Sequence, residues 1–270
     1  MPMELNAVLA QRIDLSPGLA VIRVVPEGWD LEEFTPGQFC VLGLPGSAPR
    51  AEGSEADKEP VAPEKMIKRA YSIASSPITS EYLEIYVVMV PDGALTPRLF
   101  ALNVGDKLWL GPKVTGHFTL ETVPEDKHVL MLGTGTGLAP YVSMVRTYLV
   151  AGGERHFGIM HGARHSWELG YENELRTLDR VCSNFAYRPS ITRPQLEPTP
   201  WTGDSGYIQD LWKQRPFDEF LPAPASPDNT HVFLCGNPAM IETMQQVLAD
   251  EGYSEHTPKQ PGQIHIEKYW

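Results

Sequence analysis

Hydrophobic and polar positions follow two rhythms along this chain, and the change between them divides it. In the first third, short apolar runs recur between Pro/Gly turns. LAVIRVVP (19–26) is apolar and β-branched, and GQFCVLGLP (37–45) follows the turn signal Thr35-Pro36-Gly37. RAYSIASS (69–76), YLEIYVVMV (82–90) and GDKLWLGP (105–112) continue the series. Short strands spaced by such turns predict a small antiparallel β-barrel or sandwich. One helix interrupts it, starting near Leu95 and carrying Thr96, Pro97, Leu99 and Phe100.

Then the period changes. The apolar runs HVLMLG (128–133), HFGIMHG (156–162), NFAYRPSIT (184–192) and THVFLCG (230–236) read as strands. Helical patterns follow them at 137–150, 167–180, 208–214 and 237–252. Strands alternating with helices predict a parallel sheet with right-handed crossovers. The polar link Thr122-Val123-Pro124-Glu125-Asp126 marks the expected boundary, giving domains at 1–124 and 125–270. Residues 44–66 are rich in Pro, Ala, Glu, Gly and Ser, and read as an inserted mobile loop.

Two segments carry the chemistry. Arg69-Ala70-Tyr71-Ser72 lies on an extended stretch, where alternation puts Arg69 and Tyr71 on one face and Ser72 on the other. That suits a flat aromatic cofactor bearing phosphates. Gly133-Thr134-Gly135-Thr136-Gly137 leaves an apolar strand and opens a helix, the setting in which backbone amides bind a phosphate. Two cofactor sites on one chain imply electron transfer between bound molecules. Taken singly, each feature has a plainer reading: a strand tyrosine, a surface arginine, a sterically tight strand–helix turn.

Charge and composition narrow the classes. The 270 residues carry a formal net charge of −12, with a pI near 5.1. Nucleic-acid binding, which needs a basic surface, is disfavoured. No run of eighteen apolar residues predicts a membrane span, and the N-terminal stretch lacks the basic start and apolar core of a secretory signal. Cys40, Cys182 and Cys235 are far apart, with no CxxC, which argues against a cluster or structural zinc and for a reducing cytosolic compartment. His161 and His165 have i,i+4 spacing but no third ligand, so no metal is expected. Ser72 lies in the Arg69–Ser72 segment, and no GxSxG elbow exists.

RAYS, then PDGALTPRL, GTGTGLAPY, CGNPAM and a terminal Tyr-Trp stand in that order. The series resembles the ferredoxin–NADP reductase superfamily, and within it the bacterial ferredoxin/flavodoxin–NADP reductases. The resemblance implies an antiparallel Greek-key β-barrel that binds FAD, followed by a Rossmann-like parallel-sheet domain that binds NADP(H). It implies that Arg69 pairs with the FAD pyrophosphate, with Ala70 beside it on the same strand. Tyr71 would stack on the flavin, Ser72 would bond near its N5, and Val88 would flank the ring. Gly93-Ala94-Leu95-Thr96 would open the helix facing the phosphates, and Tyr269 and Trp270 would fold back on FAD. On the nicotinamide side it implies the Gly133–Gly137 run together with Arg164, Thr192 and Arg193 for the 2′-phosphate. Tyr207 would stack on the adenine, where enterobacterial relatives carry another arginine. Cys235-Gly236-Asn237 would lie near the site of hydride transfer, Cys235 in a positioning role.

The activity implied is hydride transfer between NADP(H) and FAD, and single-electron transfer between FAD and ferredoxin or flavodoxin. The carrier would dock transiently through Lys65, Lys68, Arg98 and Lys113, and a cytoplasmic monomer is expected. Two alternatives stand beside it. One is an NAD(P)H-dependent reductase of free flavin or another small acceptor; the other is a non-catalytic flavoprotein subunit of a larger complex.

Overall fold

The computed structural model describes residues 4–59 and 61–268. The expected FAD contacts Tyr269 and Trp270 lie outside the described residues. The chain forms two units, one ending at Thr119 and the other beginning at Leu120, just ahead of the 122–126 link.

The first unit is an antiparallel sheet of six strands. These are β1 (Ala7–Ser16), β2 (Leu19–Pro26), β3 (Phe39–Pro45), β4 (Met66–Ser72), β5 (Leu83–Val88) and β6 (Lys107–Leu110). They lie in the order β4-β3-β6-β1-β2-β5. Just past β4, Ile73 bridges Ile85 and the Ala74 amide donates to the Glu84 carbonyl at 2.8 Å, so the two ends of the sheet meet and close the barrel. Inside lie Leu9, Ile22, Leu42, Ile85, Leu108 and Leu110. The helix α1 (Thr96–Ala101) starts with Pro97 in its first turn and packs Leu99 into that core. Strand β1 has no counterpart among the expected strands. Only Ala7 and Leu9 of its apolar residues are buried, and its remainder is wet and bulged, so no sustained alternation marks it.

The 44–66 segment differs from the expected mobile loop. It connects β3 to β4 as the long loop of a hairpin whose closing pair is Pro45 and Met66. It is tied down along its length. The Gly46 amide donates to the Lys65 carbonyl, Ala51 to Pro97 and Glu55 to Pro91, at 2.9, 2.9 and 3.0 Å. Arg50 donates to Asp57 at 2.6 Å, to the Gly93 carbonyl at 3.1 Å and also to the Glu55 carbonyl. Lys58 pairs with Asp92.

The second unit is a parallel sheet. Its elements are β7 (His128–Thr134), α2 (Ala139–Tyr148), β8 (Phe157–Ala163), α3 (Glu172–Val181), β9 (Phe185–Ile191), β10 (Asp204–Ser205), α4 (Ile208–Trp212), β11 (Thr230–Cys235), α5 (Pro238–Asp250) and β12 (Ile264–Glu267). The strand order is β10-β9-β8-β7-β11-β12. The near-continuous apolar runs of β7, β8 and β11 are buried on both faces, as parallel strands must be. Register aligns the carboxyl ends: Gly133 pairs with both His161 and Cys235, and Ile191 with both Ala163 and Ser205. Every loop that leaves those ends therefore opens on one edge, where ligands of such sheets bind. Among the described residues no helix is long and apolar enough to cross a membrane.

Candidate active site

In the first unit, β4 ends the sheet, with only β3 paired along its length. Arg69 and Ala70 are both exposed on this strand. The Arg69 guanidinium donates to the Lys68 carbonyl at 2.7 Å and has no ion pair among the described residues. Tyr71 is half-buried against the barrel core opposite Cys40, and Ser72 is buried opposite Phe39. Burial pushes the Tyr71 phenol well above its usual range, against a smaller opposing pull from Arg69. The ring is thus a neutral, apolar face beside a cation. Val88 ends β5 with its side chain exposed.

The turn Gly93-Ala94-Leu95-Thr96 leads into α1, whose N-cap residue Leu95 provides no capping side chain. Thr96 shapes this turn, its hydroxyl accepting from the Val90 amide at 2.9 Å. Arg50 braces it from behind through the Gly93 carbonyl.

Two of the four expected docking cations are placed otherwise. Arg98 is 3% exposed, so it cannot present charge to a partner. Its guanidinium faces inward and donates to Asp57, to the Ala94 carbonyl at 2.6 Å and to the Gly46 carbonyl at 2.9 Å. The partner that draws it in comes from the 44–66 segment. Lys68 lies over the Trp109 ring, 3.8 Å from its centre, and is half-buried. Lys65 and Lys113 are exposed and carry no ion pair among the described residues.

In the second unit, the glycine run leaves β7 as a 3₁₀ turn, Gly135–Leu138, and enters α2. Each small residue has a steric reason. Gly135 sits at φ +54°, and the space over it is open. Gly137 presses on the backbone of β11: a Cβ there would lie 2.7 Å from the Cys235 carbonyl oxygen. At Gly236, φ +125°, a Cβ would strike the Thr134 hydroxyl. That hydroxyl accepts from the Asn237 amide at 2.7 Å, and the Asn237 side chain caps α5 by accepting from Ala239 and Met240. The turns Thr134–Gly137 and Gly236–Asn237 therefore interlock. They leave bare main chain at the carboxyl edge, with open space over Gly135. Thr136 is half-buried in the same turn. Cys235 is fully buried, its sulfur 4.0 Å from Glu267.

His161 belongs to this site, a role that its spacing to His165 does not signal. No metal-binding group of three His, Cys, Asp or Glu exists among the described residues. Instead the buried ring lies between two partners, Nε2 3.2 Å from the Gly135 carbonyl and Nδ1 3.1 Å from the Tyr187 hydroxyl. A carbonyl only accepts, so the proton is assigned to Nε2 and Tyr187 donates to Nδ1. Burial pulls the imidazole pKa down to about 4, so it is a neutral strut under the turn. No sequence motif marks such a strut.

Beyond β8 and β9 the remaining expected residues gather. Thr192 donates its amide to Ala163, and Arg193 to Arg164, both at 3.0 Å, so the two arginines leave adjacent strands side by side. Both are exposed. Arg193 has no ion pair among the described residues, whereas Arg164 is bound to Glu168. Tyr207 follows β10, and 62% of it is exposed.

Residues 131–246 match the Oxidoreductase NAD-binding domain family. A flavodoxin/ferredoxin–NADP reductase of Buchnera aphidicola is 32% identical over 241 residues, covering 89% of each chain. Its Escherichia coli counterpart is 32% identical over 238 residues and 88% of each chain. Among solved structures, a ferredoxin NADP+ reductase from Neisseria gonorrhoeae with bound FAD and NADP aligns over 98% of both chains, with a TM-score of 0.80 and 26% identity.

Proposed function

Because the chain belongs to the ferredoxin–NADP reductase family of FAD- and NADP(H)-binding oxidoreductases, we propose that it carries electrons between NADP(H) and a ferredoxin or flavodoxin. The observation that carries this reading is the interlocked glycine cradle at the sheet edge, on the same chain as the exposed Arg69 on an edge strand. Bound FAD supplies the exchange between two-electron and one-electron chemistry, which no side chain of the protein offers.

The protein's part is binding and orientation. Arg69 offers a planar fork of donors to the FAD pyrophosphate. Tyr71 offers a neutral ring for stacking that also keeps water from the flavin face. Ser72 offers a hydroxyl to its reacting edge, and Ala70, Val88 and the Gly93–Thr96 turn line the same cofactor. The Gly133–Gly137 run and Gly236-Asn237 take the dinucleotide pyrophosphate of NADP(H). Arg164, Thr192 and Arg193 take the 2′-phosphate, and Tyr207 stacks on the adenine. Cys235 keeps the β11 turn in place from inside the fold. Lys65 and Lys113, with Lys68 at half strength, meet an acidic carrier.

The test is direct. The purified chain should be yellow, and anaerobic NADPH should bleach it faster than NADH does. The reduced protein should then pass electrons to ferredoxin or flavodoxin, with a salt dependence that Lys65→Glu and Lys113→Glu flatten. No bleaching by either nucleotide would refute the reductase. Reduction of free flavin but of neither carrier would make it a small-acceptor reductase.

A further inference from the structure

The two cations assigned to the 2′-phosphate are not equivalent. Arg193 is exposed and unpaired among the described residues. Arg164 has its Nε–Nη2 edge occupied: Nη2 meets Glu168 Oε1 at 2.6 Å, and Nε meets Oε2 at 3.2 Å. The same Oε2 accepts from the Arg164 backbone amide at 3.0 Å. Glu168 thus grips Arg164 at both ends, and its side chain is 20% exposed against 62% for Arg164. The carboxylate is the anchored member of the pair and the guanidinium the free one.

We propose that Glu168 sets the nucleotide preference of this site by holding Arg164 away from the 2′-phosphate; this rests on the placement of that phosphate between Arg164 and Arg193. A phosphate can take the two-pronged Nε–Nη2 edge of Arg164 only by displacing a carboxylate already bound to it. Once displaced, the carboxylate stays in place on the Arg164 amide, a like charge beside the incoming dianion. A ribose 2′-hydroxyl meets no such opposition, because a carboxylate accepts a hydrogen bond from it. Glu168 therefore lowers affinity for NADPH without a matching penalty on NADH, so that discrimination falls mainly to Arg193. Tyr207 cannot compensate, because its side chain offers the phosphate one hydroxyl where a guanidinium offers a fork of donors.

The experiment uses the FAD-loaded enzyme and two probes that differ only in the phosphate, 2′,5′-ADP and 5′-AMP, with dissociation constants read by calorimetry. Glu168→Gln keeps an acceptor for the Arg164 amide but removes the charge. It should tighten 2′,5′-ADP relative to 5′-AMP by about fivefold, the scale of one partly exposed charge interaction. The gain should appear in turnover as a lower KM for NADPH. Glu168→Asp, which keeps the charge, should stay near the parent ratio. A ratio that Glu168→Gln leaves unchanged or lowers would overturn the inference, the latter showing that Glu168 presents Arg164 to the phosphate instead. Arg193→Ala separates the two levels. If it lowers the ratio while Glu168→Gln fails to raise it, only the role of Glu168 falls. If it leaves the ratio unchanged, the phosphate placement falls as well.

Discussion

Arg98 and Asp57 form a two-pronged ion pair, Nη1 to Oδ1 at 2.9 Å and Nη2 to Oδ2 at 2.7 Å, that fastens the 44–66 segment to α1. Asp57 also holds Arg50, which braces the turn ahead of that helix. Removing the carboxylate would leave a buried guanidinium without its counter-ion. Asp57→Asn should therefore destabilise the barrel unit by about 3 kcal/mol, read as a lower urea midpoint. The hydrogen bond from Arg98 holds the Asp57 carboxyl below its usual range. A depressed carboxyl contributes stability above its unfolded pKa and loses it as pH falls through the folded value. The wild-type midpoint should thus drop on acidification below about pH 4, and Asp57→Asn should blunt that drop.

Arg69→Ala should release FAD. A charge-assisted hydrogen bond contributes about 1.5–3 kcal/mol, so the dissociation constant should rise at least about tenfold. Gel filtration followed by the flavin absorbance of the protein fraction checks it. Retention of a full complement of FAD would remove Arg69 from the site.

Gly137→Ala places a methyl group against the backbone of Cys235 and Gly236. Neither neighbour is the movable end of a side chain, so the two turns must part. The expected result is full flavin content with KM for NADPH raised more than about tenfold, on the scale of a displaced binding contact. Unaltered NADPH kinetics would mean that the cradle does not hold the nucleotide.

Acid should weaken the second unit in a different window. Burial lowers His161 and His231 to about 4 and His265 to about 3, from an ordinary value of 6.5. His231 Nδ1 and His265 Nε2 lie 2.9 Å apart, so protonating both sets like charges in contact. A base whose folded pKa is depressed takes its proton mainly in the unfolded chain. Stability is therefore whole above pH 6.5 and falls as pH drops through the folded values. Each such histidine contributes a slope of about 1.4 kcal/mol per pH unit. Urea titrations between pH 7.5 and 4.5 should show this slope, and His161→Gln should reduce it by one proton's worth.

The sheet strands of the second unit were legible because burial on both faces demands apolar runs, and HVLML and THVFLC meet that demand. Strand β1 escaped because it turns from buried to wet after Leu9. β10 and β12 are too short to show a period. The glycine run was readable because close backbone approach restricts residue type, as at Gly137 and Gly236. The fate of Arg98 was not, because its partner Asp57 lies in a segment whose composition signals only polarity. His161 was read through its spacing to His165, while its partners, the Gly135 carbonyl and the Tyr187 hydroxyl, come from the turn after β7 and from β9 and leave no local trace.

The hairpin closure at Pro45 and Met66 uncouples the length of the 44–66 segment from the flavin strand. Residues could enter or leave between Ser47 and Pro63 without sliding Arg69 out of register, since the pair beneath them sets it. Such a stretch can be exchanged as a cassette, with one condition on any replacement. It must return a carboxylate to the place of Asp57, or Arg98 must be changed with it. Shortening the segment is therefore a coupled, multi-site change in evolution or engineering, although it reads as dispensable padding.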